Sequence, residues 1–357
     1  MIYDIPKPLL SAALQTATLL SRLPNGDFAT RICVGADKGA GFIRYNNRPY
    51  EFILRFPLSN PVEDFLLVCP ISTFSKMLSA SSNVVSIRKF EASYVVLLDG
   101  GATVALDTIV GADADYTHEF KGVCGYREID PVGFKKSLTS MTALLPAAVS
   151  VADKCLIFKS GHTYVNVGSV LGRSENVFGV DFSISKYMLD ALAPMMQFAD
   201  HITCGLSTHM ELQFGTESCV SVYLQFPVTY DPSVLGSFLS PLFMRAFDAP
   251  SGKAFTLPVG SIVGHLKAVG SLEYYESIVR LSVSLAYVGM QVECTNGPAF
   301  DMSYAMTSGS GEPGSIRVPI KVLTTILDFV GEDACFTMTQ SGLLVSTTHA
   351  TFCIRSV

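Results

Sequence analysis

Six helix openings recur along this chain at similar intervals, and that periodicity narrows the architecture more than any short motif does. The stretch "SIRVPIKVLTTILDFVG", residues 315–331, gives the pattern: a strand-like start, a proline, then an amphipathic helix with Ile or Leu at 320, 323, 326 and 327. A proline at the first helical position is ordinary, because its missing N–H has no helical partner there. With the head residue of each helix as position zero, the heads are Pro6, Pro70, Asp130, Ile184, Pro258 and Pro319, spaced 64, 60, 54, 74 and 61 residues apart. At plus four stand Leu10, Phe74, Phe134, Met188, Ile262 and Leu323; at plus eight stand Leu14, Leu78, Leu138, Leu192, Leu266 and Leu327. Two apolar positions one helical turn apart define one buried stripe per helix.

Short β-rich runs separated by turn residues follow the helices, as in "ACFTMTQSG", "LLVSTTH" and "ATFCIRS" after the last one. Each unit therefore reads strand, helix, three strands, an α+β arrangement. Paired units give three domains, at 1–121, 122–235 and 236–357. The chain's 357 residues exceed one comfortable core, in keeping with that division. The 231–253 segment reads as an interdomain connection with an insertion, and "TSGSGEPGS" (307–315) as a flexible loop inside the third domain.

The helix face opposite the stripe holds positions plus two, six and nine. Lys76, Lys136, Lys186, Lys267 and Lys321 fall there, one per helix in five of six, among small or polar neighbours. Lys135 adjoins Lys136, Lys7 sits at plus one of the first helix, and Arg22 follows that helix. Singly, a helical lysine is a solvated surface group. Gathered on one surface, the eight would attract phosphates without reading bases. Asp190 and Asp328 lie on the same face and soften the field, so the expected contact is weak.

A net charge of −6 argues against simple coating of DNA, for which a positive domain is normal. No nearly uninterrupted apolar run approaches the roughly 20 residues of a membrane helix, and "MIYDIPKP" carries an acid where a secretion signal carries basic residues. The default is a soluble intracellular protein that needs no membrane. The nine cysteines lack metal-ligand spacing and read as small buried hydrophobes in a reducing compartment, with no metal and no cofactor expected. "GADKGAG" (35–41) lacks the Gly-Lys-Ser/Thr order of a phosphate loop and reads as a hairpin turn. The six histidines form no triad or metal spacing, so no catalytic constellation emerges.

"VPIKVLTTILDFVG" followed by "SGLLVSTTHATFCI" resembles the way sliding clamps of DNA replication end, in particular the bacterial beta clamp with three domains per subunit. "YLQFPVTY" (223–230) resembles the close of the clamp middle domain, and the sixfold repeat extends the likeness over the whole chain. The resemblance implies a ring with helices lining the hole and sheets outside. Six domains per ring and three per subunit then imply a head-to-tail homodimer around double-stranded DNA, bound non-specifically. It further implies a clamp loader, a replicative polymerase and a partner-peptide pocket formed by Leu171, Pro227, Tyr230, Ile354 and Val357. Two departures stand out: "NVGSVLG" replaces the family's Asp-Gly-x-Arg motif, and the C-terminus is "CIRSV" without Met-Pro. Such divergence suits a bacteriophage version. Two other readings remain: a structural or virion protein built from the same unit without DNA, and a monomeric processivity factor that binds DNA directly.

Overall fold

The structure is a computed structural model. It describes residues 2–22, 30–60, 63–81, 83–90, 93–98, 101–106, 127–142, 144–145, 155–167, 170–175, 181–206, 209–217, 219–228, 247, 253–257, 259–271, 278–284, 286–293, 300–306, 308–309, 314–330, 334–339, 342–347 and 350–357. Among these lie six α-helices: α1 (Lys7–Leu20), α2 (Ile71–Ser79), α3 (Pro131–Thr142), α4 (Lys186–Leu192), α5 (Val259–Gly270) and α6 (Ile320–Val330). Each is preceded by one strand and followed by three, with one addition. A two-residue strand, Ser308–Gly309, lies between the third strand after α5 and the leading strand of α6 and pairs with Lys253–Leu257, inside the 307–315 segment expected to be a loop.

The expected stripe is buried. All six plus-four residues are, from Leu10 at 0% exposure to Met188 at 3%. At plus eight Leu14, Leu192, Leu266 and Leu327 are buried as well, while Leu78 and Leu138 are half-buried. The described head prolines, Pro6, Pro70 and Pro319, sit one place earlier than expected, and Pro258 lies outside the described residues. Pro6 (φ −59°, ψ 129°) and Pro70 (φ −59°, ψ 138°) are N-cap residues. Their fixed φ suits strand and helix alike, so the extended ψ ends the strand at the proline and the helix opens one residue later. The fourth head, Ile184, belongs to the strand Phe182–Ser185, and α4 starts two residues beyond it.

The leading strand of each unit does not pair with its own three strands but with those of the neighbouring unit, reciprocally. Ile2–Pro6 pairs with Val84–Phe90, and Phe65–Pro70 with Arg31–Asp37. Arg127–Ile129 pairs with His201–Leu206, and Phe182–Ser185 with Cys155–Lys159. Lys253–Leu257 pairs with Ala334–Met338, and Gly314–Pro319 with Ile278–Val283. The exchange couples units one with two, three with four, and five with six. All these pairings are antiparallel.

The chain forms two compact bodies, residues 1–131 with 187–228, and 132–186 with 229–357. In the first, the third strand of unit one, Tyr50–Pro57, pairs antiparallel with the third strand of unit four, Ser221–Pro227, extending one sheet to eight strands. In the second, the third strand of unit three, Val170–Glu175, pairs with that of unit six, Ala350–Arg355, in a nine-stranded sheet. The third strands of units two and five, Thr103–Leu106 and Phe300–Ala305, instead form outer edges of two four-stranded sheets. In the first body α1 packs beside α2, and Thr16 of α1 donates to the Ala191 carbonyl of α4 (2.9 Å). In the second, α5 packs beside α6.

Candidate functional site

The helix faces that avoid the sheets carry the basic residues. Lys76 on α2, Lys267 on α5 and Lys321 on α6 are exposed, as is Arg22 just after α1. Lys135 on α3 and Lys186 at the start of α4 are half-buried. Lys136 lies in α3, and its side chain is outside the described residues. Lys7 is partly spent: its Nζ donates to the Ser81 carbonyl at 2.5 Å, tying the start of α1 to the residues after α2. Of the opposite-face positions with described side chains, Ala12 alone is buried, at 2%.

α5 and α6 present this face to the same side. Lys267 and Asp328 are both plus-nine residues, and the lysine Nζ reaches Asp328 Oδ1 at 2.6 Å. Both side chains remain about half exposed, 55% and 49%, so the pair is accessible to salt and worth little as a stabilising contact. Its consequence is electrostatic. One of the exposed cations is neutralised by its own neighbour.

On the nine-stranded sheet, Leu171 and Ile354 come to adjacent strands, but one residue out of phase. The register sets Leu171 opposite Cys353, and Ile354 opposite Val170. Successive strand residues point to opposite faces, so Leu171 and Cys353 share one face and Ile354 turns to the other, fully buried. The face of Leu171 carries a separate apolar cluster of Ile157, Tyr164, Leu171, Leu344, Cys353 and Phe247, with Cys155 packed against it. Arg173 shares that face. Its guanidinium lies 4.7 Å from the centroid of the Phe247 ring, and its Nη2 donates to the Phe247 carbonyl at 3.3 Å. Val357 is 60% exposed, and its N–H donates to the Arg317 carbonyl at 3.0 Å. Pro227 ends its strand half-buried in the other body; Tyr230, and all of the 231–253 insertion except Phe247 and Lys253, lie outside the described residues.

The cysteines divide. Cys33, Cys69, Cys204 and Cys353 are buried, Cys155 is half-buried, and Cys219 and Cys335 are exposed, contrary to the expectation of burial, while Cys124 and Cys294 lie outside the described residues. Burial, with a smaller push from the Glu211 carboxylate, raises the Cys204 thiol to about 12, so it stays protonated and inert. Among the described residues no group of three or more His, Cys, Asp or Glu side chains could hold a metal ion. "GADKGAG" is a two-residue hairpin turn, with Lys38 (φ 50°) and Gly39 (φ 81°) both left-handed as a type I′ turn requires.

A DNA polymerase III subunit beta from Pseudomonas aeruginosa superposes on the whole chain with a TM-score of 0.72, at 14% identity and 100% coverage of both chains. The fold is that of the β sliding clamps. The polymerase III beta of Caulobacter crescentus matches equally well (TM-score 0.72, 15% identity, 100% of both chains). That of Borrelia burgdorferi reaches a TM-score of 0.76 at 12% identity, over 100% of this chain and 98% of its own. No family model matches the sequence, and no curated protein matches it. The clamp fold therefore persists here beyond recognisable sequence kinship.

Proposed function

We propose that the chain is a sliding clamp: a head-to-tail homodimeric ring of six domains, bounded in each subunit near 121 and 235. In this reading the helix faces line a channel for non-specific, topological binding of double-stranded DNA. A clamp loader opens the ring, and a replicative polymerase is tethered at the outer-face cluster around Leu171. The protein works in the cytoplasm of a bacterium, or of an infected host cell if a bacteriophage encodes it. It acts as a tether rather than an enzyme and calls for no cofactor.

One observation carries the reading. Third strands pair across units one and four and across units three and six, leaving those of units two and five without a strand on their outer side among the described residues. A second copy can supply the same kind of antiparallel pair, unit two of one chain against unit five of the other. That contact is heterologous, and made twice between two copies it closes. Exposed sheet edges are templates for pairing, and closure removes them. The scattered basic residues on the helix faces suit a channel that holds DNA by enclosure, with phosphate attraction kept low. Sedimentation at micromolar concentration tests this: a mass of twice 38.5 kDa is expected, and a lone monomer would overturn the ring.

A further inference from the structure

We propose that Phe247 is an internal ligand of the outer-face site, and that an incoming apolar anchor binds by displacing it. The inference rests on reading the Leu171 cluster as the partner pocket.

The walls of this site come from neighbouring strands of one sheet: Ile157, Tyr164, Leu171, Cys353 and Leu344. Their positions are fixed by backbone ladders that do not involve Phe247. Phe247 arrives from a different part of the chain, 74 residues from Arg173, and packs against these walls with only 6% of its surface exposed. Arg173 holds it at two points, stacking on the ring and donating to the main-chain carbonyl of the same residue. A ring and an adjacent carbonyl are also what any peptide residue with an aromatic side chain would offer. The site is thus built for a peptide residue and already contains one.

Occupancy by an internal group lowers apparent affinity by the fraction of molecules in which the site is vacant. Removing the ring abolishes that competition, so Phe247→Ala gains affinity where a mere wall residue would lose it. The probe is N-acetyl-phenylalanine methylamide, which carries one ring and its flanking carbonyls, titrated by NMR into full-length protein. The expected result is binding to Phe247→Ala that is at least about tenfold tighter than to the wild type. Phe247→Leu, which keeps apolar filling but loses the stack under Arg173, should fall between them. Equal affinities, or no binding by a folded Phe247→Ala protein, would overturn the proposal. Should the alanine variant fail to fold, the leucine variant decides, and unfolding of both would make Phe247 a core residue and equally end the proposal. The titration involves neither DNA nor polymerase. A negative result would therefore leave the ring standing on its sedimentation test, and a monomeric protein whose variant gained affinity would do the reverse.

Discussion

At the scale of single residues, charge on the helix faces matters more by its neutralisation than by its number. Lys267 has the position expected of a phosphate contact, yet Asp328 sits on its Nζ at 2.6 Å. Asp328→Asn removes the anion while keeping the shape, and the residue is exposed, so folding should be untouched. In the proposed ring the freed lysine then adds one cation per subunit to the helix-lined face. Direct binding to a short linear duplex, where enclosure plays no part, should become more salt-sensitive, with the log–log slope of the affinity steeper by about 0.9 for each lysine that engages a phosphate. An unchanged slope would mean that Lys267 does not reach the DNA. The lysine and its helix register are legible in the sequence. The pairing with Asp328 is not, because those residues lie 61 apart and meet only once α5 packs on α6. Leu171 shows the same limit. Its strand and alternation can be read from the sequence, but whether Cys353 or Ile354 shares its face depends on a register that no local pattern encodes.

At the scale of elements, the strand-helix-three-strand unit is written plainly in the sequence, since apolar residues four apart mark each buried stripe. The exchange of leading strands is not, because pairing partners lie tens of residues away and every strand has similar composition. Edge character is likewise set by topology. In Thr103–Leu106 the ladder can be phased from one turn bond: Leu98 N–H donates to the Ala102 carbonyl at 2.8 Å, so the hydrogen-bonded pairs continue through Val96 with Val104. Ala105 lies in a non-bonded pair, and its N–H faces the open edge. Ala105→Pro therefore deletes a donor from that edge without breaking the ladder within the sheet, a position where proline is tolerated. The expected outcome is an intact fold by circular dichroism and a dimer dissociated to monomers in the ultracentrifuge. A dimer that persists at wild-type strength would place the subunit contact elsewhere.

At the scale of the whole molecule, six repeated units and, among the described residues, two third strands left at sheet edges are what the proposed ring would close. At 12–15% identity to clamps of the same fold, what makes the architecture legible in this chain is an apolar stripe per helix, strands that alternate, and turns between them. The details of the site around Leu171 were not legible, because they depend on the pairing of strands far apart in the chain. Enclosure makes a claim that affinity does not. A ring holds DNA because the DNA has no end, whatever the strength of the phosphate contacts. The decisive measurement is retention of the loaded protein on nicked circular duplex DNA in high salt, before and after a single restriction cut. The account predicts that the protein stays on the circle and is lost on linearisation; equal retention on circular and linear DNA, or release from both at the same salt, would contradict it.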